Sequence, residues 1–260
     1  MTTAVRTTAT NGVRMDSTRK TALIAGVLFL LTFITSIPAQ LLLYHPLLID
    51  PAKYILGTGA DPAVSLGALL EVILLVAGIG TAVVLYPVVK RQNEAVALAY
   101  VTSRVLESCI IMIGIVSVLS VLTLRQHVAG TAGADTAALV IAGKSLIAVH
   151  DWTFLLGPGT FAGLGNGILL GYLMYTSGLV PWRMTLLGLI GGPLVIAAMV
   201  CVLFGVFKAG SSWQAIATIP EFFWELSLGI YLTVKGFKPS PIISGFSTTP
   251  VAPDPIHSAV

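Results

Sequence analysis

Seven ionisable side chains interrupt stretches that are otherwise apolar enough to cross a bilayer. Glu71, Glu107, Asp151, Glu221 and Glu225 are acidic, and Arg104 and His150 accompany them. A carboxylate at the centre of a membrane helix costs roughly 2.5–3.5 kcal/mol on insertion scales, so such groups face a protein interior, pair, or take up protons. Their spacing limits the chemistry. Arg104 and Glu107 stand at i, i+3 on one helix face and can form an ion pair. Glu221 and Glu225 stand at i, i+4, where like charges repel, so a proton or a cation belongs between them. His150 with Asp151, Glu221 or Glu225 supplies ligand types for a divalent metal that activates water. No HExxH or paired-histidine spacing accompanies them, so the four are weak metal candidates.

The elements that position these groups follow from composition. Of 260 residues, 56% are hydrophobic and 10% charged; mean hydropathy is +0.94. Soluble domains carry about 25% charge. An all-α polytopic membrane bundle is therefore expected. The formal charge of +3 suits basic loops and gives no sign of nucleic acid. Cys109 and Cys201 lie in separate apolar runs and read as free thiols.

Six runs are long enough to span: 21–43, 64–89, 95–124, 152–175, 184–206 and 214–236. Ile37-Pro38-Ala39-Gln40 is a poor cleavage site, so the first run reads as an uncleaved helix. Thr136 to His150 is a shorter helix with Lys144 at its middle, placed at the membrane surface, re-entrant or folded against the bundle; its length disfavours a seventh span. Tyr44 to Ala63 reads as a loop with turns. Residues 1–20 and 238–260 read as disordered tails flanking a transmembrane domain at 21–237. With the N-terminus inside, the inner loops collect Arg6, Arg14, Arg19, Lys20, Lys90, Arg91, Arg183, Lys235 and Lys238. The outer loops hold only Lys53, Arg125 and Lys208. Both termini are then cytoplasmic, in a bacterial inner membrane.

Gly159, Gly163, Gly167 and Gly171 recur every four residues, a seam for close approach of another helix, with Asn166 beside it to bond across. Gly188, Gly192 and Pro193 repeat the device. Gly157-Pro158-Gly159 should bend or open its helix, and Pro220 should kink the last one.

In this orientation the acids lie mostly in the outer half, and Arg104 lies near the floor of an outward-facing acidic cavity. Glu71, Arg104, Glu107, His150, Asp151, Asn166, Glu221 and Glu225 are its expected lining. The leading expectation is binding or transport of a cation or polar small molecule. The alternatives are a metal-dependent membrane hydrolase and a structural or regulatory subunit with a static polar network. No nucleophile elbow, phosphate loop, dinucleotide fingerprint or CxxC occurs, and the histidines do not suit a bis-histidine haem. No cofactor or oligomeric state is assigned; the lipid bilayer is the one partner expected outright.

Three stretches resemble a known family. They are His150-Asp151-Trp152-Thr153-Phe154-Leu155-Leu156-Gly157-Pro158-Gly159, the Arg104-x-x-Glu107 pair, and Glu225-Leu226-x-Leu228-x-x-Tyr231-x-x-x-Lys235-Gly236-Phe237. The opening Arg19-Lys20-Thr21-Ala22-x-Ile24-Ala25-Gly26 is similar too. Together they resemble domain of unknown function 4386 over about Arg19 to Phe237. The resemblance implies a multi-spanning bacterial membrane protein and brings no activity.

Overall fold

The computed structural model describes residues 17–57, 61–128 and 135–244, and no strand occurs among them. Helix α1 (Ser17–Pro38) ends in a wide π-type turn, Ala39–Leu43. Two short helices follow, α2 (His45–Ile49) and α3 (Pro51–Leu56), then α4 (Asp61–Val89) and α5 (Glu94–Val128). Next comes one continuous rod made of α6 (Thr136–Leu156), a π-type segment (Gly157–Leu170) and α7 (Gly171–Ser177). Helices α8 (Trp182–Leu203) and α9 (Ser212–Val234) complete the bundle. By length and composition, α1 with its π-turn, α4, α5, the rod and α8 can each cross a membrane.

Local chemistry sets the helix starts. Asn93 accepts from the Val96 amide, Asp135 from Ala137 and Ala138, and Ser211 from Gln214. Each satisfies an amide that the first turn leaves without a partner.

The six long elements form a closed ring in chain order. α1 packs on α4, α4 on α5, α5 on the rod, the rod on α8, α8 on α9, and α9 back on α1. The outer wall is greasy: Leu69, Val76 and Val83 recur every seven residues on α4, each more than half exposed. Glu71, Arg104, Glu107, Asn166 and Glu221 are buried instead. An apolar exterior around a polar interior suits lipid, since soluble monomers rarely expose so continuous an apolar surface.

Apolar clusters pack toward both ends of the ring. Ala22, Phe29, Leu85, Tyr100, Leu173, Trp224 and Leu232 fill one. Tyr44, Leu47, Tyr54, Ile55, Val118, Val121 and Ile147 fill the other, where α3 packs on α5 and α6 and α2 packs on α3. At that second end Arg125 pairs with Asp61, lies over the Tyr54 ring at 4.9 Å, and Tyr54 donates to Asp61 at 3.2 Å. Burial pushes the Tyr54 phenol up, and Arg125 opposes it.

Lipid does not drive apolar helices together, so close packing must hold them. The expected glycine seam serves this purpose. A methyl group on Gly163 would lie 2.8 Å from the Gly192 carbonyl oxygen, and one on Gly167 would lie 2.6 Å from Gly192 Cα.

Several expectations are corrected. Thr136 to His150 is neither a separate surface helix nor a re-entrant one; it runs without a break into the span that follows. Asp135 caps it and Gly143 lets Ile55 of α3 press against it, so packing overrides the exposed Lys144. Within Tyr44 to Ala63, the prolines start helices rather than turns, because Pro46 and Pro51 occupy first-turn positions that need no amide. Residues 17–20 already belong to α1. At the other end Lys238 donates its amide to Leu179 O, Ser240 donates to Ser177 O, and Ile242 and Ile243 pack on the core. The remainder of both expected tails, 1–16 and 245–260, lies outside the described residues. Helix α9 starts at Ser212 and runs through Pro220.

Candidate functional site

Between the two apolar clusters lies a polar layer. Its first part hangs on Glu71, which α4 turns inward. Gln40 Nε2 donates to Glu71 Oε1 at 2.6 Å and Tyr44 Oη donates to Oε2 at 2.9 Å. Gly67 admits the Tyr44 ring, since a methyl group there would lie 2.5 Å from it. Gln40 Nε2 lies 3.5 Å from His150 Nε2, and the His150 ring stands edge-on to Tyr44, centroids 5.8 Å apart. His150 is buried and its Nδ1 has no hydrogen-bond partner; Asp151 Oδ1 is 3.5 Å away, on a side chain 63% exposed.

The second part hangs on Arg104. Its guanidinium pairs with Glu107 one turn along α5, and Nε donates to the Gly78 carbonyl at 3.3 Å. Gly78 makes the room: a methyl group there would lie 2.7 Å from the guanidinium. Across the ring Asn166 Nδ2 donates to Glu225 Oε1 at 2.7 Å. The π-type segment keeps two carbonyls within reach of neighbouring helices. Ser103 donates to Phe161 O at 3.0 Å, and the buried Trp224 indole donates to Asn166 O at 2.8 Å. Wide turns of this kind often mark functional positions.

Glu221, one turn from Glu225, is different. It is 4% exposed, and neither carboxylate oxygen has a hydrogen-bond partner. Its Oε2 sits where methyl groups on Gly167 or Gly191 would be.

Three adjacent hollows that share wall residues surround these groups. A cavity of about 170 Å³ is lined by Gln40, Glu71, Arg104, Glu107 and Glu225, with Phe33 and Phe154 on its apolar side. A second, of about 220 Å³, shares Phe33, Phe154 and Glu225 and adds Glu221, Phe222 and Gln214. A vestibule of about 840 Å³ carries His150 and Asp151 and reaches both, sharing Gln40 and Phe154 with the first and Phe154, Gln214 and Phe222 with the second. It opens at the end of the ring that holds α2 and the α8–α9 connection.

The structure thus gathers Glu71, Arg104, Glu107 and Glu225 around one cavity. Glu221 lies on the neighbouring one, and His150 and Asp151 lie in the vestibule. Asn166 lines none of the three; it holds Glu225. The metal set does not assemble: among the described residues no three His, Cys, Asp or Glu side chains come close enough to hold an ion. His150 and Asp151 line the vestibule, and Glu221 and Glu225 the inner chamber.

Sequence reasoning passed over Gln40 and Tyr44. Gln40 had a usable signal, an amide near the end of an apolar run, where polar side chains are expensive unless partnered. Tyr44 had none, because a tyrosine at a span end also fits an interfacial anchor.

Comparison with curated proteins and with solved structures gives no significant match. Residues 24–236 match the family described as Domain of unknown function (DUF4386). That stretch includes the whole ring apart from the first turns of α1, and every acid, base and amide of the polar layer. The chain is therefore a membrane protein that belongs to the DUF4386 family.

Proposed function

We propose that this protein binds, and moves across or along the membrane, a cation or polar small molecule held among Glu71, Glu107 and Glu225. One observation carries the reading: three carboxylates from three helices share a cavity with a single guanidinium. Arg104 is committed to Glu107 and a backbone carbonyl, so carboxyl groups outnumber cations around the cavity, and a cationic ligand can take the place of the protons they would otherwise hold. A cavity of about 170 Å³ is close to the ~150 Å³ that holds one aromatic ring in an engineered core. The ligand is small. In this reading six helices span a bacterial inner membrane, both termini are cytoplasmic, and the vestibule faces outward; the bias of basic residues supports that orientation.

Proteoliposomes carrying an internal pH dye test it. A sodium or methylammonium gradient is expected to move protons with the intact protein and not with Glu225→Gln. Equal responses from both proteins and from empty vesicles would count against it. A static network that fixes helix packing is a second reading, favoured by the donors already given to Glu71, Glu107 and Glu225. Under that reading Glu225→Gln lowers the melting temperature and no cation gradient has any effect.

A further inference from the structure

We infer that the chamber over Glu221 and Glu225 is a site for an organic ammonium ion, its charged head on Glu221 and its carbon body among Phe33, Phe154 and Phe222. This deepens the proposed function by naming a ligand class and places the head one helical turn from Glu225.

Two observations point the same way. Glu221 is more than nine-tenths buried, lines the chamber, and has no donor on either oxygen. A buried carboxyl must hold a proton or meet a positive partner, and no cation among the described residues bonds to this one. Arg104 is taken by Glu107, the Asn166 amide goes to Glu225, and the side-chain amide of Gln214, which also lines the chamber, accepts from Gly210 N and gives nothing to Glu221. Glycines 167 and 191 leave the Glu221 carboxylate its place and bring no side chain to satisfy it.

The walls decide which cation fits. Three phenylalanines contribute to the chamber, and Phe33 and Phe222 meet edge-to-face with centroids 5.2 Å apart. Inorganic cations need several oxygen ligands, whereas aromatic and aliphatic side chains make up most of this chamber's wall. Aromatic rings beside carboxylates are how proteins recognise alkylated ammonium groups. About 220 Å³ admits a ring-sized body with its head group. Access runs from the vestibule, which shares Phe154, Gln214 and Phe222 with the chamber.

The test uses the full chain in nanodiscs, titrated with benzyltrimethylammonium chloride by calorimetry, with sodium chloride at matched ionic strength as control. Saturable binding and a concentration-dependent rise in melting temperature are expected from the organic cation alone. Glu221→Gln, which keeps shape and loses charge, is expected to weaken binding roughly tenfold or more. Phe222→Ala, at a half-exposed position of α9, is expected to weaken it too, and it decides the matter if Glu221→Gln does not fold. No saturable binding, or equal stabilisation by sodium, overturns the inference. Affinity lost in Glu225→Gln but kept in Glu221→Gln also overturns it, because the ligand then sits in the Arg104 cavity; in that case the proposed function stands. Proton flux that depends on Glu225 without any organic-cation binding separates the two in the same way.

Discussion

Arg104 and Glu107 illustrate what a buried pair demands. Both are buried, and each is the other's main partner. Arg104→Ala is expected to destabilise the protein by about 3–5 kcal/mol, because Glu107 is left as an uncompensated buried charge. The double variant Arg104→Met with Glu107→Leu is expected to recover most of that loss, since well-packed apolar residues often replace a buried pair without penalty. Thermal melts of both proteins in nanodiscs check this; a double variant as unstable as the single one would show that the pair is not coupled. The sequence showed this pair through its i, i+3 spacing, which is a local property. It could not show that Glu71 takes its donors from Gln40 and Tyr44, which lie about thirty residues away in the chain. Nor could it show that Glu221 and Glu225, alike in type and one turn apart, have unlike surroundings: Asn166 donates to Glu225, and among the described residues no donor reaches Glu221.

Two devices hold the elements to one another. The first is the seam between the rod, α8 and α9. Gly192→Leu is expected to lower the melting temperature sharply, with a loss of at least about 1–3 kcal/mol from overpacking, because backbone rather than a flexible side chain stands in the way. Gly205→Ala in the loop after α8 serves as a control for backbone effects, since it meets no neighbour and changes only a positive φ. If the two variants lose equal stability, the seam does not hold the ring. The second device is Arg19, whose guanidinium donates to Leu232 O at 2.9 Å and Thr233 O at 2.7 Å, closing the carbonyl end of α9. Gly236 then turns with φ +77° and lets Phe237 fold back on the core. Arg19 and Lys235-Gly236-Phe237 thus meet at one helix end. Arg19→Ala is expected to cost about 1.5–3 kcal/mol, and faster amide exchange in the last turn of α9 would locate the loss. The periodic glycines were legible because small residues at a four-residue interval have few other uses in a membrane helix. The joining of Thr136–His150 to the following span was not legible, because that stretch is too short to span alone and carries Lys144 at its middle, whereas the structure runs it straight into the next apolar segment.

For the whole molecule, the proposed orientation makes a direct prediction. In a background with Cys109→Ser and Cys201→Ser, a single cysteine at Lys208 is expected to react with an impermeant maleimide added to intact cells. One at Gln92 is expected to react only after permeabilisation, and the reverse pattern would invert the bundle. The amino-acid sequence alone determined that the chain is a helical membrane bundle, where the long apolar runs lie, and that charged groups interrupt them. Those properties follow from hydropathy, segment length and helical periodicity, all of which are read along the chain. Only the tertiary structure decided that the six long elements close into a ring, that Gln40 and Tyr44 join the polar layer, and that Glu221 faces a chamber walled by phenylalanines instead of a metal set. The reason is that a helix fixes which residues share its face but not which neighbour that face meets. The neighbour is chosen by glycine contacts and hydrogen bonds between segments far apart in the chain.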